Sequence, residues 1–184
     1  MNEAKARLVV LSLLPLLLPP APACAREKTE EAATLSLASK AFKAGTRIPA
    51  KYTADGPNVS PALRWTGVPE GTKSLALVCD DPDAPVGTWI HWVIYDIPPS
   101  STSLPENVPK TPEGPGGSIQ GVNDFKRYGY GGPCPPGGTH RYFFKIYALD
   151  TLIEKKAGLS KKKLLKEMEG HILAQGELMG TYSR

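Results

Sequence analysis

From Thr34 onward the chain alternates short apolar runs with clusters of turn residues. Residues 35–42, 62–65, 90–97 and 142–149 are rich in β-branched, aromatic or alternating apolar positions and predict strands. The run Leu75-Ala76-Leu77-Val78-Cys79 is apolar without interruption, which predicts a strand covered on both faces. Turns are expected at Asp55-Gly56-Pro57-Asn58 and at Val68-Pro69-Glu70-Gly71-Thr72. One helix is expected near the C-terminus, capped by Ser160, with Leu164, Met168, Ile172 and Gln175 on one face. Lys161, Lys162 and Lys163 stand at its positive end, where cations are unfavourable unless solvent or an anion offsets them. His171 lies near the apolar stripe of that helix and is read as a packing histidine. The span 98–138 is long for a connection, and loops of that length tend to carry function. No internal repeat is visible, so the pattern is that of one mostly β domain with a helical supplement.

Composition narrows this further. Glycine (18) and proline (19) make up about a fifth of the 184 residues, which excludes a helical bundle or coiled coil. The net charge of +4 is small, and no basic stripe is interleaved with aromatics, so a nucleic-acid partner is not expected. At the N-terminus, Lys5 and Arg7 precede an apolar stretch over 8–18, followed by Pro19-Pro20-Ala21-Pro22-Ala23-Cys24. This reads as an export signal over residues 1–23. Cleavage after Ala23 gives a soluble exported protein, lipid on Cys24 gives a membrane-anchored one, and an uncleaved anchor is the third alternative; all stay open. Residues 24–33 read as a tether and 34–184 as the domain. With three cysteines there is no disulfide scaffold, although export permits a Cys79–Cys134 bridge as the alternative to two free thiols.

Polar chemistry gathers at the predicted strand ends. Asp80, Asp81 and Asp83 follow the apolar run, His91 opens the strand 90–97, and His140 stands just before Tyr142. Alternation puts His140, Tyr142 and Phe144 on one face. The run 129–138, Gly-Tyr-Gly-Gly-Pro-Cys-Pro-Pro-Gly-Gly, can bring backbone N–H groups close to a ligand. Imidazoles and backbone amides suit an anion, and neighbouring carboxylates suit it only if they hold histidines in the donor state. No Gly-x-Ser-x-Gly elbow, His-Glu-x-x-His helix or phosphate-binding P-loop is present, so no enzyme and no cofactor are called for. A mixed oxygen and nitrogen metal site on Asp81, Asp83, His91 and His140, with metal-dependent hydrolysis, is the remaining enzymatic alternative.

Asp81-Pro82-Asp83-Ala84-Pro85, Trp89-Ile90-His91, and Gly132-Pro133 through His140-Arg141-Tyr142 together resemble the phosphatidylethanolamine-binding protein family, most closely its bacterial Raf-kinase-inhibitor-like branch. Asn58-Val59-Ser60-Pro61 with Trp65, Asn123-Asp124-Phe125 and Gly170-His171-Ile172-Leu173-Ala174 are similar to that branch as well. The resemblance spans about residues 34–184. It implies an antiparallel β-sandwich with a Greek-key core and a small anion pocket formed by Asp81, Asp83, Pro85, Trp89, His91, Gly132, Pro133, His140 and Tyr142. It also implies a cis bond as a candidate at Ala84-Pro85. The expected ligand is a phosphate, a phospholipid head group or a phosphorylated partner. His91 and His140 are expected to supply ring N–H donors, Tyr142 a hydroxyl and Gly132 a backbone contact, with Asp81 orienting a histidine. Inhibition of a protease or kinase by protein contact is the competing non-enzymatic reading. Self-association, including a homodimer, is left open.

Overall fold

The computed structural model describes residues 33–154 and 157–184. The export segment, Cys24 and nearly all of the tether lie outside the described residues. The strands are β1 (Ala33–Thr34), β2 (Ser36–Ser39), β3 (Leu63–Thr66), β4 (Ser74–Asp81), β5 (Trp89–Ile97), β6 (Ser103–Leu104), β7 (Ile119–Gln120) and β8 (Thr139–Leu149). The helix α1 (Lys161–Met168) and the strand β9 (Ile172–Ser183) complete the chain. They form a six-stranded sheet in the order β1-β9-β8-β4-β5-β7 and a three-stranded sheet in the order β2-β3-β6. Pairing is antiparallel throughout, save for the two-residue β1, which runs parallel to β9.

The unbroken apolar run of β4 has two partners. Leu75, Leu77 and Cys79 point into the sandwich core with Trp65, Trp92 and Phe144, while Ala76 and Val78 pack with Leu164 and Met168 of α1. Removing each large side chain from water contributes about 1.5–3 kcal/mol, so a strand covered on both faces anchors the domain. The cysteines are not bonded to each other: Cys79 is a buried thiol of this core and Cys134 an exposed one, so the Cys79–Cys134 bridge is not formed.

Asp80, the next residue on the helix face of β4, is fully buried. It accepts from the ammonium of Lys145 at 3.2 Å and pairs with the ammonium of Lys161. This explains how a lysine is tolerated at the start of α1. Its charge is directed at a buried carboxylate rather than at the helix terminus.

The C-terminal segment departs from the sequence reading. The helical spacing of Leu164, Met168, Ile172 and Gln175 predicts one helix through 175, but α1 stops at Met168 and Ile172 opens β9. Gly170 takes a left-handed conformation (φ +77°), which ends the helix. Beyond it the alternation of β9 is obscured by glycines that the packing requires. A Cβ at Gly176 would lie 2.1 Å from the Leu35 carbonyl oxygen, and one at Gly180 would lie 2.7 Å from Ile48 Cγ1. His171 is consequently not a packing histidine. It is exposed, with Nδ1 2.7 Å from Asp150 Oδ1.

The span 98–138 contains β6, β7 and a short turn of helix at Pro115–Gly117. Gln120 fixes it to the sheet, accepting from Trp92 Nε1 at 2.9 Å and donating to the carbonyls of Pro109 (2.6 Å) and Thr111 (2.9 Å). It carries the chain from β5 to β8 on the other side of β4, and it delivers 129–138 to the same sheet end as the β4–β5 loop.

Candidate ligand-binding site

A one-residue slip in the sheet aims His91. Cys79 pairs with Trp92 and Asp80 with Ile90, so His91 is the extra residue of a bulge on β5. Strict alternation would place Ile90 and Trp92 on one face. With the bulge, Ile90 packs on the helix side while Trp92 faces the sandwich core, and His91 turns to the mouth of the sandwich. Bulges re-aim side chains in this way near functional sites. His140 reaches the same mouth by plain alternation along β8, above Tyr142 and Phe144.

Here a cavity of about 180 Å³ is lined by Asp81, Pro85, Trp89, His91 and His140 of the predicted set. Ala84, Val86, Phe125, Cys134, Pro135 and Pro136 complete the wall. Phe125 packs edge-on against both Trp89 (5.5 Å between centroids) and His91 (5.4 Å). The sequence offers Phe125 only as part of a motif and does not mark Cys134 as a wall residue. Their signal was their position in the long span that returns to the sheet end.

Each imidazole is held by Nδ1. His140 Nδ1 donates to Asp81 Oδ2 at 2.7 Å, and His91 Nδ1 donates to the Gly131 carbonyl at 2.6 Å. A carbonyl and a carboxylate can only accept, which puts the ring proton on Nδ1 in both cases. Among the described residues neither Nε2 has a hydrogen-bond partner. The neutral rings therefore present lone pairs at Nε2, and they donate there only as imidazolium. Burial lowers the His91 pKa, against smaller opposing effects of the Gly131 carbonyl and the Asp81 charge. The other oxygen of Asp81 accepts the Asp83 N–H at 2.8 Å, so Asp81 fixes both its own turn and the His140 ring.

Two donors nearby have no protein partner: the buried indole N–H of Trp89 and the hydroxyl of Tyr142. The Tyr142 ring lies edge-on to His91 at 5.2 Å, and burial with the adjacent Asp81 charge pushes its pKa up. A buried donor left unpaired costs about 1–3 kcal/mol, which a ligand acceptor atom or water relieves.

Four predicted residues stand elsewhere. Asp83 forms a two-pronged ion pair with Arg141 (2.7 and 2.9 Å) and accepts the Arg141 backbone N–H at 2.9 Å. That guanidinium lowers the Asp83 pKa to about 2. The Gly132 N–H, expected to face a ligand, donates to Asn58 Oδ1 at 2.7 Å. Pro133 accepts from the Ala54 N–H at 2.9 Å, a purely structural contact. Tyr142, fully buried, lies beneath the cavity wall rather than in it. The cis bond considered at Ala84-Pro85 is not formed, as every peptide bond among the described residues is trans. The Asp81–Asp83 turn and the Gly87 N–H to Ala84 carbonyl bond (3.0 Å) reverse the chain without it. Among the described residues no group of three or more His, Cys, Asp or Glu is arranged to hold a metal ion. The metal-dependent alternative therefore gains no support.

Comparison with known proteins gives a consistent picture. The family model for phosphatidylethanolamine-binding protein matches residues 38–183. A UPF0098 protein of Methanothermobacter thermautotrophicus is 55% identical, covering 82% of this chain and 99% of its own. One from Aquifex aeolicus is 51% identical, covering 83% and 90%. Two crystal structures share the fold, each with a TM-score of 0.76 and covering 83% of this chain and 99% of their own. They are a phosphatidylethanolamine-binding protein homologue of Chlamydia trachomatis (40% identical) and Escherichia coli YbcL (36% identical), described as a member of the mammalian family.

Proposed function

Since the chain belongs to the phosphatidylethanolamine-binding protein family, we propose that it is a non-enzymatic binding protein whose histidine cavity takes a small phosphorylated group. The observation that carries this reading is the pair of imidazoles fixed through Nδ1 on one cavity wall, with the unpaired indole N–H of Trp89 beside them. Protonation converts both Nε2 atoms into charged donors. An anion bound there satisfies these donors, and Asp81 keeps the site from being a permanent positive charge. Occupancy is then coupled to acidity: the ligand binds with uptake of protons.

The test uses dimethyl phosphate, a phosphodiester whose own charge is constant over the range. Calorimetric titration is expected to show binding at pH 5.5 at least tenfold tighter than at pH 8. Equal affinity at the two values, or tighter binding at pH 8, rejects the reading. Export of the chain by residues 1–23 belongs to the same proposal. It is tested by mass spectrometry of the processed N-terminus, which also decides between a free Cys24 and a lipid-bearing one; an intact Met1 in envelope fractions rejects it.

A further inference from the structure

Behind the Phe125 and Cys134 wall of the histidine cavity lies a second cavity of about 190 Å³, and these two residues line both. Its rim carries Lys110 and Arg127, its inner wall Asn58 and Asn123, and no acidic residue lines it. We propose that this cavity is a second binding site, for a dianionic phosphate group held between Lys110 and Arg127. This goes beyond the reading of the histidine cavity and does not depend on it.

The two cations are positioned by the fold. Lys110 Nζ donates to the Asn58 carbonyl at 2.9 Å, which pins the ammonium at the rim. Arg127 sits in a loop organised by Asn123, whose Oδ1 accepts the Arg127 N–H at 3.2 Å and whose Nδ2 donates to the Gly129 carbonyl at 2.9 Å. The Asn123 N–H in turn donates to the Arg127 carbonyl at 3.0 Å. Lys110 packs against Gly129 so closely that a Cβ there would lie 3.0 Å from its Cα. Among the described residues neither cation forms an ion pair, whereas Lys51, Arg141, Lys145, Lys161 and Arg184 each have a carboxylate. The cost of this arrangement registers on Lys110, whose pKa is lowered by burial and by the charge of Arg127. Two like charges held over one cavity without a counter-charge make a site for an anion. A guanidinium fork next to a point-charged ammonium matches a phosphate bearing two charges.

The chemistry differs from that of the first cavity in one decisive way. Lysine and arginine side chains ordinarily titrate above about pH 10, well above the range of an ordinary imidazole. The experiment is therefore a calorimetric titration of the full chain at pH 8.5 with inorganic phosphate, glycerol phosphate and dimethyl phosphate. Binding of the first two is expected, with dimethyl phosphate at least tenfold weaker because it carries a single charge. Binding of inorganic phosphate alone assigns the free ion as ligand, and binding of glycerol phosphate alone assigns an esterified group. Replacing both cations (Lys110→Gln with Arg127→Gln) is expected to weaken binding at least tenfold with little change in Tm. The control, Lys162→Gln with Lys163→Gln, removes the same net charge elsewhere and is expected to leave it intact. His140→Ala is expected to keep phosphate binding at pH 8.5, which separates failure of this site from failure of the histidine cavity. No binding by wild type, retention in the Lys110/Arg127 variant, an equal loss in the control, or equal affinity for dimethyl phosphate overturns the proposal.

Discussion

Asp80 and Asp81 are neighbours on β4, both buried, and they face opposite sides of the sheet. Asp80 looks toward α1 and is matched by the ammonium groups of two lysines. Asp81 looks toward the mouth of the sandwich and is matched by the imidazole of His140. The first pairing is closed, since every charge has its partner inside the protein. The second leaves an Nε2 unpaired and a cavity in front of it. Two identical side chains one residue apart thus close an ion-pair cluster on one face and, in the proposed function, serve ligand capture on the other. What decides is the free valence of the partner.

The sharpest way to break this comparison is to remove each carboxylate. Asp80→Ala leaves Lys145 and Lys161 without their buried counter-charge and is expected to cost about 3 kcal/mol in denaturant unfolding. Dimethyl phosphate affinity of the folded variant at pH 5.5 is expected to be unchanged. A loss of affinity there would join the two faces functionally. His140→Ala inverts the pattern. It is expected to weaken dimethyl phosphate binding at pH 5.5 at least tenfold, about 1.4 kcal/mol, and an unaltered isotherm would remove His140 from the site.

Acid should distinguish the faces as well. Burial holds the folded-state pKa of His91 below its unfolded value. Its contribution to stability is therefore complete above the unfolded pKa of about 6.5 and is lost as pH falls toward the folded value. Saturating dimethyl phosphate should recover part of that loss. Unfolding curves at pH 7.5 and pH 5, with and without the ligand, check the sign; greater stability of the free protein at pH 5 is the opposing result. The smallest effect is expected at the partly exposed Asp83–Arg141 pair. Asp83→Asn should cost at most about 1 kcal/mol, as surface pairs do, with binding untouched. Because the Asp83 pKa is depressed to about 2, its share is present above about 3.8 and fades as pH falls toward 2.

How far the sequence revealed this arrangement depends on the range of the interaction. Periodicity is local, so the two-faced run of β4 and the placement of His140, Tyr142 and Phe144 on one face were readable from the residues alone. The motifs of the resemblance converge on one sheet end, around one cavity. The bulge at His91 was not readable, because a slip in pairing belongs to two strands at once. Nor was the fate of the Gly132 N–H, which goes to a side chain 74 residues away. The start of β9 reads as a continuation of the helix because Ile172 and Gln175 keep its spacing, and Gly176 and Gly180, demanded by contacts with Leu35 and Ile48, blur the alternation beyond. The resemblance implies that Asp83 is a member of the pocket, and only the approach of Arg141 shows that its carboxylate is engaged in a different pairing.

The protonation of the two imidazoles is the point on which the account turns, and nitrogen-detected NMR of the histidine rings reads it directly. At pH 8 the free protein is predicted to show His91 and His140 both as Nδ1–H tautomers, and addition of dimethyl phosphate at pH 5.5 is predicted to convert both to imidazolium. Nε2–H tautomers in the free protein, or rings that stay neutral in the saturated complex, would contradict it.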